Sequence, residues 1–140
     1  MRVARQSTTA DALARWLHAA TLAKDESEHP LAKCVKKVYY PSLFTEDKDL
    51  VARQMTGGCG GCFALELPTE EAASTLSPTL ELFSDATSLG GVESLIDYRR
   101  RYDPTISPLL LRVSVGLEEF DHLKADLQQG ILKVMKPKSA

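Results

Sequence analysis

The sequence predicts an α/β layered domain, a sheet with helices covering mainly one face. Three observations lead there. Apolar residues recur at helical spacing in several windows, with short β-branched or aromatic runs between them. Glycine and proline clusters separate the two kinds of segment. A chain of 140 residues is the right length for one domain and long enough to bury a core.

Ser7-Thr8-Thr9 has the composition of a helix start, and Leu13, Trp16, Leu17 and Ala20 then define one apolar face. Residues 24–30 are polar and read as a surface loop. Val35 to Tyr40 is a short strand closed by Pro41. Thr45 is placed to cap a second helix from Glu46 to Met55. Gly57, Gly58, Gly60 and Gly61 stop that helix and permit unusual backbone angles. Cys62 to Leu67 forms the next strand, which Pro68 ends. Thr69-Glu70-Glu71 opens a third helix that buries Ala72, Ala73, Leu76 and Leu80, and Pro78 ends or bends it. Leu82 to Thr87 is strand or extended chain. Gly90 and Gly91 follow, and Asp97 to Pro108 reads as a polar loop. Leu109 to Val115 is a strong strand with Arg112 at its centre, broken by Gly116. The last helix carries Phe120, Leu123, Leu127 and Ile131 on one face, with Gly130 near its end. The tail from Lys133 to Ala140 is expected to fray. No internal repeat or low-complexity segment interrupts this order.

Composition excludes several classes. With 44% hydrophobic and 26% charged residues, 7 Pro and 8 Gly, the chain is neither disordered nor collagen-like. Its 17 basic and 19 acidic residues leave a net charge of −2. That balance gives no general electrostatic attraction to nucleic acid or an anionic membrane. No apolar run approaches the roughly 20 residues that span a bilayer, and the first residues lack the apolar centre of a signal peptide. Three cysteines do not make a disulfide framework, so a reducing, cytoplasmic setting is expected.

Chemistry-bearing residues are few. Cys59 and Cys62 form a Cys-x-x-Cys pair, but a zinc site needs two further ligands. Cys34, His18, His29 and His122 stand at no matching spacing. A redox pair follows a strand and opens a helix, whereas this order is reversed; two small side chains in a Gly-rich turn account for it. Gly57 to Gly61 lacks the Lys-Ser/Thr of a phosphate loop. Arg99, Arg100 and Arg101 read as a solvated basic face, with an anion contact as the alternative. Arg112 interrupts the apolar run Leu-Leu-Leu-Arg-Val-Ser-Val. If it points inward its charge must be paired, and its fork suits a carboxylate. If it points outward it is an ordinary surface arginine. Periodicity leaves both open.

Four segments together resemble one family. They are Val35-Lys36-Lys37-Val38-Tyr39-Tyr40-Pro41, Ala52-Arg53-Gln54-Met55-Thr56-Gly57-Gly58, Ser88-Leu89-Gly90-Gly91-Val92-Glu93-Ser94, and Leu111-Arg112-Val113-Ser114-Val115-Gly116-Leu117-Glu118. In order and spacing they resemble the C-terminal domain of the Cys/Met-metabolism family of pyridoxal-phosphate enzymes. The likeness runs from Arg2 to Ile131 and is strongest to the cystathionine gamma-synthase branch. The short stretch between Ser94 and Arg112 resembles the fungal form; many relatives have a longer insertion there.

The resemblance implies the small domain of a fold-type I enzyme, with a mostly antiparallel sheet and helices mainly on one face. It implies pyridoxal 5'-phosphate as cofactor and γ-replacement as reaction: cysteine displaces the acylated hydroxyl of a homoserine ester to give cystathionine. By position, Arg112 would hold the substrate α-carboxylate. Ser88 and Leu89 would line the active site beside it, and Glu93 would lie near the distal end of the substrate. The expected partners are a large cofactor domain outside this chain, an amino-acid substrate, and further copies in a homo-oligomer; no nucleic acid or membrane is implied. The family's catalytic lysine belongs to the large domain. Lys24, Lys33, Lys36, Lys37, Lys48, Lys124, Lys133, Lys136 and Lys138 stand in no comparable context. The 140 residues are therefore expected to form a single small domain that is inactive alone. A binding or assembly module that kept the fold is the competing reading.

Overall fold

Helix α1 (Arg2–Leu22) starts upstream of the Ser7-Thr8-Thr9 segment that composition marks as its beginning. The hydroxyls are used differently. Thr8 bonds back to the Ala4 carbonyl at 3.0 Å, and Ser7 Oγ accepts the Gly60 N–H at 3.0 Å. The computed structural model describes residues 1–136. The buried face of α1 carries Ala10, Leu13, Ala14, Leu17 and Ala20. Its alanines let the helix lie close to the sheet, and each fully buried leucine contributes about 1.5–3 kcal/mol.

Among the described residues five strands follow: β1 (Lys37–Tyr39), β2 (Cys62–Glu66), β3 (Ser84–Asp85), β4 (Leu95–Tyr98) and β5 (Leu110–Ser114). They form one sheet in the order β1-β2-β5-β4-β3. All pairs are antiparallel except β3 with β4. The remaining helices are α2 (Lys48–Gln54), α3 (Glu70–Thr75) and α4 (Phe120–Met135). The core lies between α1, α3 and α4 and one sheet face, which presents Val38, Phe63, Leu65, Ile96, Tyr98, Leu111 and Val113. The predicted α/β layering is therefore the observed one.

Several boundaries differ. The first strand is confined to residues 37–39, and its neighbour Lys36 still donates to the Glu66 carbonyl. Asp47, not Thr45, precedes α2, which buries no residue. Thr69 caps α3 as expected, accepting the Ala72 N–H at 3.2 Å. A 3-10 turn at Ser77–Thr79 contains Pro78 and ends that helix. Only Ser84 and Asp85 of the expected 82–87 strand pair.

The loop expected from Asp97 to Pro108 is corrected. It overlaps β4, whose four residues are all buried, and then a 3-10 turn at Arg99–Arg101. Buried Asp97 made the strand look polar. Helix α4 also continues through Lys133 to Met135, where fraying was expected. The rest of that tail, from residue 137, lies outside the described residues.

Candidate functional site

Strand alternation decides where Arg112 points. Leu111 and Val113 enter the core, so Arg112 leaves β5 on the face without helices. In register with it lie Ala64 and then Tyr39 on one side, and Asp97 on the other. Neither sequence alternative describes the outcome. The residue is half-buried, with Nε enclosed and without a hydrogen-bond partner. Nη2 donates to the Ser88 carbonyl at 3.0 Å and to that of Thr87. Among the described residues, Nη1 makes no hydrogen bond. The guanidinium is thus held by two neutral carbonyls, with no acid among its hydrogen-bond partners in the described residues.

The segment carrying those carbonyls is latched to the sheet. Gly90 N–H donates to Ser114 Oγ at 2.9 Å, and Leu117 N–H to the Val92 carbonyl at 2.8 Å. Gln6 reaches over from α1, its Nε2 donating to Gly91 O at 2.6 Å and Val115 O at 3.1 Å. The Glu118 carboxylate accepts Ser94 N–H at 2.8 Å and Ser94 O–H at 2.7 Å, while Ser94 Oγ accepts Gly116 N–H at 2.9 Å. This backing holds the turn near Arg112.

Of the four residues singled out by the resemblance, the structure joins two directly. Ser88 touches Arg112 through its backbone. Leu89 and Glu93 lie on the same latched segment with exposed side chains, Leu89 at 56%. Neither is hydrogen-bonded to Arg112.

Sequence reasoning put Asp97 in a polar loop and Arg99 on a solvated face, and did not foresee that they pair. Asp97 is fully buried; its Oδ2 accepts Arg99 Nη1 at 2.9 Å and its Oδ1 has no partner. The signal was the lone acid in Leu-Ile-Asp-Tyr with an arginine two residues on.

The arginine run braces its own neighbourhood. Arg101 grips the Asp85 carboxylate at 3.0 Å, which drives its own pKa further up. Arg100 Nη1 donates to the carbonyls of Pro104 and Ile106, each at 2.7 Å.

The other motifs are structural. The Gly60 amide and carbonyl engage Ser7 Oγ and Tyr40 O–H, so the glycine loop tethers α1. Gly58 and Gly60 have positive φ, and a Cβ at Gly58 would lie 2.3 Å from Ser7 Oγ. Cys59 packs against the core, while Cys62 alternates with core residue Phe63 and faces away from it; both are free thiols. Burial pushes the Cys34 thiol up, away from reactivity. Among the described residues no three His, Cys, Asp or Glu side chains gather as a metal site. Among the described residues no helix is long and apolar enough to cross a membrane.

Whether these residues suit a lysine-bound cofactor can be tested directly. Of the eight described lysines only Lys124 is half-buried, and its ammonium lies over the rings of Trp16 and Phe120, at 5.4 and 5.8 Å. The other seven are exposed. The described lysines do not fit a lysine-bound cofactor.

Comparison with known proteins supplies a family. The family described as Cys/Met metabolism PLP-dependent enzyme matches residues 1–132. A cystathionine beta-lyase of Lactococcus lactis subsp. cremoris is 32% identical over 83% of this chain and 33% of its own length. A cystathionine gamma-synthase of Escherichia coli (strain K12) is 37% identical over 69% of this chain and 28% of its own. The crystal structure of cystathionine gamma-lyase from yeast superposes with a TM-score of 0.78 at 29% identity, covering 96% of this chain and 35% of that one. The chain spans about a third of the length of the curated relatives it matches.

Proposed function

We propose, because this chain belongs to the Cys/Met metabolism family of PLP-dependent enzymes, that it is the substrate-side C-terminal domain of a transsulfuration enzyme of the cystathionine gamma-synthase kind. The three relatives above carry three reaction names, so family membership alone does not choose among them. The choice of γ-replacement rests on the resemblance of the four sequence segments to the cystathionine gamma-synthase branch. In that reaction the thiol sulfur of cysteine bonds to the γ-carbon of an acylated homoserine. The bond between the γ-carbon and the ester oxygen breaks, the acyl group leaves as a carboxylate with the electron pair, and the thiol proton balances its charge.

This chain's part is grip and orientation. The observation that carries the proposal is the Arg112 guanidinium, whose enclosed Nε has no partner and whose Nη2 is fixed by the Thr87 and Ser88 carbonyls. A cation so held is prepared for the α-carboxylate of an amino acid and fixes one end of it before reaction. Ser88 and Leu89 would line the approach, and Glu93 would lie toward the distal end. The cofactor and its lysine are assigned to residues outside this chain, as is the main contact between copies in a homo-oligomer.

The test has two arms. Titrating the 140-residue chain with L-cystathionine should move the Arg112 Nε–H resonance, and Arg112→Gln should abolish binding. Adding pyridoxal phosphate and then borohydride should leave no stable adduct at any one lysine. An Arg112 signal indifferent to the amino acid would remove the substrate-side assignment and favour a binding or assembly module. A single reduced adduct would overturn the assignment of the cofactor to other residues.

A further inference from the structure

Arg112 has one charged neighbour in its own cross-strand row among the described residues, and that neighbour does not pair with it. Asp97 is its register partner on β4, so both side chains project from the same sheet face. The Asp97 carboxylate is the only acid in the row Tyr39, Ala64, Arg112, Asp97. Opposite charges on directly paired strand positions attract, strongly where burial lowers the local dielectric. Yet each group keeps an unpartnered buried atom, Oδ1 on Asp97 and Nε on Arg112. Asp97 instead bonds Arg99, at 2.9 Å. Arg99 opens the 3-10 turn that directly follows β4, which lets its head fold back over Asp97. It leans also on the Tyr102 ring, at 5.8 Å.

We propose that Arg99 is a positioning residue: it occupies the Asp97 carboxylate and so keeps Arg112 free for an external acid. Asp97 is the internal competitor. Without Arg99, a buried carboxylate would stand unpaired beside a buried guanidinium N–H, and desolvation would drive the two together. Arg112 would then leave the Thr87 and Ser88 carbonyls and answer to Asp97. The inference about Arg112 as an acid grip rests on the proposed function; the diversion of Asp97 by Arg99 does not.

The experiment is arginine side-chain NMR on the whole chain, read at Arg112 Nε–H, with L-cystathionine as the probe. Arg99→Gln should shift and protect that signal before any probe is added, and should weaken probe binding about tenfold or more. The double variant Arg99→Gln/Asp97→Asn should restore the starting signal and the affinity, which a merely structural role for Arg99 would not do. Arg99→Lys keeps a cation over Asp97 and should leave both readouts near their starting values; it also guards against loss of fold in the glutamine variant. An Arg112 signal unchanged by Arg99→Gln in a folded chain overturns the proposal, as does failure of the double variant to reverse the change. If the free-state signal shifts but no variant responds to the probe, the diversion stands and the acid-grip reading fails.

Discussion

Replacing Gly116 with alanine tests how the candidate site is held in place. Gly116 is not among the glycines with positive φ, so conformational freedom is not why glycine is there. Close approach is. A Cβ at this position would lie 2.3 Å from the Val92 carbonyl oxygen and 2.6 Å from a Glu118 carboxylate oxygen, more than half an ångström inside ordinary contact for both. Backbone must move, because the Val92 carbonyl also accepts the Leu117 N–H at 2.8 Å. Overpacking of this kind costs about 1–3 kcal/mol, and the loss of one hydrogen bond adds about 0.5–1.5 kcal/mol. The expected destabilisation is therefore about 1.5–4.5 kcal/mol, a large share of the roughly 5–15 kcal/mol of a typical domain. Urea unfolding should show a lower midpoint with an unchanged slope. The Gly90 and Ser94 amides should exchange faster, because both are tied into the same latch. A midpoint corresponding to a loss below about 0.5 kcal/mol would refute the reasoning, since it would mean the 87–94 segment yields freely.

Asp126 of α4 accepts the backbone N–H groups of Glu81, Leu82 and Phe83 at 2.9, 2.8 and 3.3 Å, so Asp126→Ala should cost about 3 kcal/mol by urea unfolding; a cost under about 1 kcal/mol would show that those amides find other partners. His29 is buried against Trp16 with Nδ1 accepting the Leu31 N–H at 3.0 Å, and burial holds its pKa below the usual 6.5. The neutral form is the one the fold accepts, with the nearby Lys124 ammonium adding to the preference. Its contribution to stability should be fully present above pH 6.5 and be lost as pH falls through the lower folded value. His29→Gln should flatten that acid-side loss, whereas an imidazole titrating above 6.5 by NMR would reverse the sign.

Much of the fold was legible because its signals are local. The spacing of Leu13, Leu17 and Ala20, the Thr69 cap, and the apolar run around Val113 each act within a few residues. Strand β4 was hidden because its one acid is neutralised by a residue outside the strand, Arg99, and propensity cannot register that. Ser7 misled for a related reason: its hydroxyl serves Gly60, 53 residues away, where a helix cap would have used a local amide.

The sequence by itself determined the layering and the family resemblance, and marked Arg112 as a candidate, since alternation and motif order are properties of the chain read in line. Only the tertiary structure decided what Arg112 faces. Its two carbonyl partners and its acidic neighbour, which pairs with Arg99 instead, come from segments that meet it through sheet registry and a latched turn. A guanidinium's chemistry depends on which acceptors lie within hydrogen-bonding distance, and those distances are set by folding.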